Sequence, residues 1–392
     1  MISSTRIDQK IANHLFREIK FDDMQYVGSS QEGVPRMACN DLDVMLCDAS
    51  SIVLWEWPHQ KKGKFVVAEQ DSTPPMYLRL KVVDKQSLDK DFKNIIDHDG
   101  YLKTDDFIKF NEKKDFYIDL NSKVRQGPST VQMCKSGLMD IGDKSMDVVF
   151  CLKCQSWPPF KGDFFTRERP NNWPSPELLE KVKGLECHVV PVGYPGSELG
   201  GIVWRLSFSI AERALITEMY KPYAECMFAL KAIKNKFIDY SDSDKPTPFC
   251  SYFIKTACLW KCETFRHTDC SLMDLIREVL DWLIDCYQHQ CLPHYFIREH
   301  NLIGHLEERC DSVKGKLTEI KRDLWTKVLY SIDGDETYEW CFNLLGNEFN
   351  INRDDEMWQI LRPKKKRNQS TTGHGTPESP KSYREHNQRN LL

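Results

Sequence analysis

Asn40-Asp41-Leu42-Asp43-Val44-Met45-Leu46 is the stretch on which the reading of this chain turns. Acidic and apolar residues alternate along it, as in a strand, so Asp41 and Asp43 are expected to project together while Leu42 and Val44 point to a core. Like charges that close repel unless a cation lies between them. The pair is therefore costly as mere structure and apt as a ligand set for Mg²⁺, which prefers oxygen donors. Alone, an Asp-x-Asp pair is a common surface-loop feature, and the surrounding sequence has to decide its meaning.

Two neighbouring features extend the pattern. Asp147, in Ser145-Met146-Asp147-Val148-Val149-Phe150, is an acid inside an apolar strand, where an unpaired charge is expensive, and it is the candidate third carboxylate. Three such acids holding two divalent ions can activate an attacking ribose hydroxyl and stabilise departing pyrophosphate, which is nucleotidyl-transfer chemistry. Upstream lies Gly28-Ser29-Ser30-Gln31-Glu32-Gly33, in which Ser29 and Glu32 fit a capping box of a short helix cut off by Gly33 and Pro35. A Gly-Ser pair at a helix start also exposes N–H groups and a hydroxyl that can hold a triphosphate beside the metals.

Outward from these motifs the chain divides by periodicity. Residues 5–21 have helical character, with Ile7, Ile11, Leu15 and Ile19 on one stripe and Arg6, Lys10, His14 and Arg17 on another; a solvated basic face is the ordinary meaning of the second stripe. Strands are predicted at 41–46, 51–55, 77–83, 145–152, 187–192 and 202–208. After Ser209 the period becomes helical, at 211–218, 223–240, 249–261, 272–286 and 317–330. The expected architecture is α+β: a mixed-sheet lobe over 1–209 and a helical lobe over 210–362. The stretch 363–392, poor in large apolar groups, is expected to be a disordered basic tail. Its Lys364-Lys365-Lys366-Arg367 cluster reads as a nuclear signal, a nucleic-acid anchor or a solubilising tail.

Composition narrows the functional classes. A formal net charge of -4 over 392 residues excludes a uniformly basic scaffold, so a nucleic-acid partner would need a local patch. The N-terminus lacks the apolar stretch of a secretory signal, and no apolar run is long enough to span a bilayer, which points to an intracellular protein. Fifteen scattered cysteines in such a chain are expected to be reduced. Cys151 and Cys154 lie at an odd separation that sends them to opposite faces of a strand. Cys286, His289, Cys291 and His294 have metal-ligand types, but the helix carrying the first must end near Pro293, so zinc is not expected there. No Gly-x-Ser-x-Gly elbow is present, which removes a hydrolase of that kind.

The Gly-Ser pair, the acid-x-Asp-Val-Met strand and the distant Asp147 together resemble cyclic GMP-AMP synthase and its relatives in the Mab-21 family. The likeness extends through Leu152-Lys153-Cys154-Gln155-Ser156-Trp157-Pro158-Pro159, Trp204-Arg205-Leu206-Ser207-Phe208-Ser209, Ser251-Tyr252-Phe253-Ile254-Lys255-Thr256-Ala257 and Pro293-His294-Tyr295-Phe296-Ile297, and so covers about residues 5 to 345. It implies a nucleotidyltransferase lobe with a long N-terminal spine helix, packed on a helical-bundle lobe. It implies that Asp41, Asp43 and Asp147 hold Mg²⁺ or Mn²⁺, two ions in all. Gly28 and Ser29 would bind the triphosphate, Lys231 and Ser251 contact phosphate, Arg205 reach a base or the nucleotide being joined, and Tyr252 stack on a base.

On the same resemblance, two nucleoside triphosphates, ATP, GTP or others, would become a cyclic dinucleotide signalling in innate immunity. The protein would be cytoplasmic, or nuclear if the tail acts as a signal, and would dimerise on its ligand. Arg6, Lys10, His14 and Arg17 fall on the spine helix that senses nucleic acid in relatives. One departure stands out: residues 210–224 contain neither Cys nor His, whereas the vertebrate DNA sensor carries a zinc-binding insertion at that point. No structural zinc is therefore expected, and double-stranded RNA becomes the preferred activator. The alternatives are a catalytically silent family member that binds partners or nucleic acid, and a transferase with a linear product.

Overall fold

The computed structural model describes residues 23–28, 41–59, 63–70, 73–113, 124–126, 129–134, 144–159, 162–195, 200–238, 248–266 and 270–332. The expected spine helix with Arg6, Lys10, His14 and Arg17, the triphosphate-binding candidate Ser29 and the basic tail lie outside the described residues.

One sheet organises the first part of the chain. Its strands are β1 (Asp23–Val27), β2 (Asp41–Cys47), β3 (Ile52–Leu54), β4 (Phe65–Glu69), β5 (Tyr77–Val82), β6 (Val124–Gln126), β7 (Ser129–Cys134), β8 (Lys144–Lys153), β9 (His188–Val190) and β10 (Val203–Ser207). They run in the order β1-β2-β8-β9-β10-β5-β4-β3, with β7 also on β8 and β6 on β7. The sheet is mixed: β2 and β8 are parallel, as are β3 and β4, while the other strand pairs are antiparallel. The long strand β8 binds β2 along most of its length, β7 over its first part and β9 only at Leu152 and Lys153. It is the pivot about which the sheet changes neighbours.

The period-2 pattern of the sequence survives in the structure. Val44 and Leu46 of β2 and Val148, Phe150 and Leu152 of β8 are buried. The opposite face, which carries Asp43, becomes apolar farther along, where Val27, Met45, Cys47, Cys151, Val190 and Ile210 form a core cluster. Ile210 comes from the helix Ser209–Thr217, so that helix helps to cover the acidic face of the sheet.

Two compact units result. The first comprises the described residues up to Met219 together with Pro293–His305; the second comprises Tyr220–Leu292 and the described residues from Leu306 onward. Composition changes at Ser209, but the helix that follows packs with the sheet and stays in the first unit. The 293–305 segment, in sequence terms part of the helical lobe, also belongs to the first unit because its aromatic residues find their partners there. The Phe296 ring centroid lies 4.8 Å from those of Phe164 and Phe208 and 5.7 Å from that of Trp157. Arg167 Nη1 donates to the Tyr295 carbonyl at 2.7 Å, and Arg298 pairs with Asp163 at 3.0 Å. Gly162, at φ +91°, lets backbone approach the Phe296 carbonyl where a β-carbon would collide with it.

The second unit is helical: Lys221–Ile233, Ser251–Thr264, Leu272–Gln288, Arg309–Arg322 and Leu324–Ile332. Ser271 and Asp274 form a reciprocal capping box at the start of the third, whose Leu275, Ile276, Val279, Leu280 and Leu283 are buried at helical spacing. The sequence predicts one helix over 317–330; the structure breaks it at Asp323, whose ψ of 44° is not helical. Among the described residues no helix is long and apolar enough to cross a membrane.

Candidate functional site

Asp43 and Asp147 stand opposite each other. The parallel pairing of β2 with β8 aligns Asp41 with Ser145, Asp43 with Asp147 and Cys47 with Cys151. Neighbouring strands are about 4.8 Å apart, and directly paired residues project to the same face, so the two carboxylates are immediate neighbours. Both are partly exposed, whereas Val44 and Val148 beside them are fully buried. Asp41 lies two positions before Asp43 on the same strand; its side chain lies outside the described set.

Gly28 closes one side of this pair. Val27 at the end of β1 pairs with Asp43, and Gly28 follows at φ +76°, a backbone conformation that favours glycine. A β-carbon at Gly28 would overlap the Asp43 carboxylate. The glycine of the Gly-Ser motif thus sits directly against an acid of the Asp-x-Asp motif.

Arg205 on β10 pairs with Val190 of β9 and Tyr77 of β5. Val190 is in the cluster with Cys47 and Cys151, which places Arg205 on the acid-bearing face of the sheet, level with the cysteines rather than with Asp43 and Asp147. Burial pushes the Tyr77 hydroxyl up, and the Arg205 guanidinium opposes that shift. Around it stand two histidines that are held neutral. Burial drives His294 well below its usual pKa, helped by the charges of His300, Arg205 and Arg167. Burial, then Arg205 and His305, bring His300 down to about 4. Neutral rings tolerate the neighbouring guanidinium. The sequence reading names Arg205 but not this surrounding set, since its members come from three separated segments.

In the helical unit Ser251 and Tyr252 open the helix Ser251–Thr264, and the N-cap Cys250 makes no side-chain capping bond. Lys255 Nζ lies 5.8 Å from the centroid of the partly buried Tyr252 ring. Lys231 and Lys234 are both buried, one helical turn apart. Burial raises the Cys250 thiol, with Lys234 among the influences opposing that shift, which places Lys234 beside the start of the Ser251 helix. A helix N-terminus with a buried ammonium group beside it suits an anion. Sequence reasoning found Lys231, Ser251 and Tyr252 but missed Lys234 and Lys255; their signal is the three-residue spacing from Lys231 and from Tyr252.

Two groups of described residues bring three metal-ligating side chains within reach of one another: Cys47, Cys151 and His188, all buried, and Asp97, His98 and Asp99, largely exposed. The Cys286, His289, Cys291 and His294 quartet is not such a group. The former set joins three strands and has no local signature.

The chain matches the family model of the Mab-21 protein nucleotidyltransferase domain over residues 60–218 and that of the Mab-21 protein HhH/H2TH-like domain over residues 223–319. The two matches span most of the described sheet and helices but begin after β3. It is also similar to a cyclic GMP-AMP synthase-like receptor of Magallana gigas, 26% identical over 62% of this chain and 43% of the relative. A cyclic GMP-AMP synthase-like receptor of Trichogramma pretiosum is 24% identical over 75% of this chain and 60% of the relative. The chain therefore spans less than two thirds of the length of these curated relatives. With a nucleotidyltransferase-like lobe built on a mixed, curled sheet and a helical HhH-like lobe after it, the chain belongs to the Mab-21 nucleotidyltransferase family, with a distant link to the cyclic GMP-AMP synthase-like receptors.

Proposed function

We propose that this protein is a metal-dependent nucleotidyltransferase that, once activated by a ligand, joins two nucleoside triphosphates into a cyclic dinucleotide and releases pyrophosphate. The observation that carries the proposal is the side-by-side placement of Asp43 and Asp147 with Gly28 pressed against Asp43. Two adjacent carboxylates are hard oxygen donors whose mutual repulsion a divalent cation relieves, so these residues fit Mg²⁺ or Mn²⁺. Asp41, Asp43 and Asp147 would hold the metal, which when bound supplies Lewis-acid stabilisation of the attacking and leaving oxygens.

The remaining roles belong to the chain's own groups. Gly28 permits close backbone approach to a triphosphate, with the Ser29 hydroxyl as its partner. Lys231 and Ser251 neutralise and orient phosphate, and Tyr252 offers a ring for base stacking. Arg205, braced by Tyr77 and neutral His300, presents a fixed cation to a base or the acceptor nucleotide. Double-stranded RNA is the activator that fits the basic stripe Arg6, Lys10, His14 and Arg17 together with a segment 210–224 free of Cys and His. The names carried by the relatives from Magallana gigas and Trichogramma pretiosum support this reading.

The test is incubation of purified protein with all four nucleoside triphosphates and Mg²⁺ or Mn²⁺, with double-stranded RNA, double-stranded DNA or neither, beside an Asp43→Ala control. A phosphatase-resistant cyclic product that depends on one nucleic acid and vanishes in the control is expected. Product that survives Asp43→Ala would overturn the metal assignment. A linear product would overturn the cyclase.

A further inference from the structure

We propose that Cys47, Cys151 and His188 form a binding site for one soft, thiophilic d¹⁰ cation, Zn²⁺ or Cu⁺, which staples β2, β8 and β9 together behind the acidic end of the sheet. Cys47 and Cys151 occupy directly paired positions of the parallel strands, and His188 comes from the strand that pairs with the end of β8. One ligand atom from each of the three lies within 4.8 Å of the other two. A metal with bonds of about 2.3 Å to sulfur and about 2.0 Å to nitrogen needs donors roughly 3.5–4 Å apart, so modest contraction gives Cu⁺ a full trigonal set; Zn²⁺ needs a fourth donor, and the Leu46 carbonyl oxygen lies 3.6 Å from Cys151 Sγ.

The second observation is the state of His188. The side chain is 1% exposed, and neither ring nitrogen has a hydrogen-bond partner. A buried imidazole left in that condition bears an uncompensated desolvation cost, which a metal bond removes. Nε2 is 3.6 Å from the Glu186 carboxylate, beyond hydrogen-bond range, while Glu186 is engaged by Lys153. A carboxylate at that position is the outer partner that orients a metal-bound histidine.

The donors and their surroundings select the ion. Two sulfurs and an imidazole favour a thiophilic cation, and the side chains of Val27, Met45, Val190 and Ile210 around the cysteines are apolar, with the Leu46 carbonyl, to which the Cys151 thiol donates at 3.6 Å, the oxygen at hand. The site is separate from the carboxylates: Cys47 and Cys151 each lie four residues beyond Asp43 and Asp147, about 13 Å along the strands. Binding would convert both thiols to thiolates and release two protons to solvent. The inference does not depend on nucleotidyl transfer, and its test needs no turnover.

The full chain, reduced and stripped by a chelator, is titrated with Zn²⁺ in one arm and with Cu⁺ under a thiol-free reductant in the other. Metal content after desalting, melting temperature and alkylation of each cysteine in sub-denaturing urea are read by mass spectrometry and calorimetry. One retained equivalent, a rise of several degrees in melting temperature, and protection of Cys47 and Cys151 but not of exposed Cys291 are expected in at least one arm. Co²⁺ should give thiolate charge-transfer absorption that His188→Gln and Cys151→Ser abolish. Because a buried substitution can impair folding, the wild-type alkylation pattern is decisive. Failure of both ions to protect Cys47 and Cys151 overturns the site, as does an equivalent retained by folded His188→Gln.

Discussion

Asp43 and Asp147 occupy directly paired positions of two parallel strands, and the packing that places them there leaves both partly exposed beside the fully buried Val44 and Val148. Two like charges so fixed destabilise each other in the absence of a cation. Replacing either by asparagine should therefore leave the metal-free protein as stable as wild type or more so, while nucleotide joining falls by roughly a thousandfold, the effect of losing several kcal/mol of metal-dependent stabilisation. Calorimetry in chelator beside product quantification checks this. A melting temperature that drops in Asp147→Asn would identify the pair as a structural element.

Gly28→Ala addresses the contact with Asp43. The added methyl meets both a positive φ and the carboxylate. A stability cost of about 1–2 kcal/mol is expected from the backbone alone. Displacement of Asp43 should add a loss of activity of about a hundredfold that raising Mg²⁺ restores only in part. Wild-type activity in Gly28→Ala would remove Gly28 from the site.

Tyr252 should act through its ring. Tyr252→Phe is expected to keep nucleotide affinity within about twofold, whereas Tyr252→Ala should weaken it by about tenfold or more, consistent with base stacking of about 1–3 kcal/mol. Nucleotide binding followed by calorimetry separates the two, and equal losses in both variants would point to the hydroxyl.

The surroundings of Arg205 predict a pH dependence of stability. His300 is brought from about 6.5 to about 4 by burial and by Arg205. In that window the unfolded chain binds a proton that the folded chain refuses, so stability is fully present above about pH 6.5 and declines as pH falls toward 4. His294, shifted in the same direction, adds to the slope. Urea unfolding at pH 7, 6 and 5 should show the decline, and His300→Gln should flatten but not abolish it. An unchanged slope in that variant would show that His300 titrates normally.

Much of the local structure is legible in the sequence. The alternation in 41–46 and 145–152 reads directly as strands because each has one apolar side-chain set, and the structure has β2 and β8 there. The stripe in 272–286 reads as a helix for the same reason, with Ser271 and Asp274 marking its start. The single helix expected over 317–330 is where apolar periodicity misleads: Leu317 and Ile320 continue in phase with Leu324 and Val328, and only the backbone at Asp323 interrupts them.

The amino-acid order by itself determined which residues are candidates for chemistry: the Asp-x-Asp pair, the isolated Asp147, the Gly-Ser pair and the Ser-Tyr pair are all properties of residue type and short spacing. Only the tertiary structure decided which of them meet. Strand register sets Asp43 against Asp147 and, four residues on, Cys47 against Cys151, and the return of β9 brings His188 within reach of those thiols. The fold also draws 293–305 onto the first unit, where His294 and His300 become the neutral companions of Arg205. Such contacts depend on pairing between segments far apart in the chain, and a periodic pattern records which face a residue turns to the core but not which strand will lie beside it.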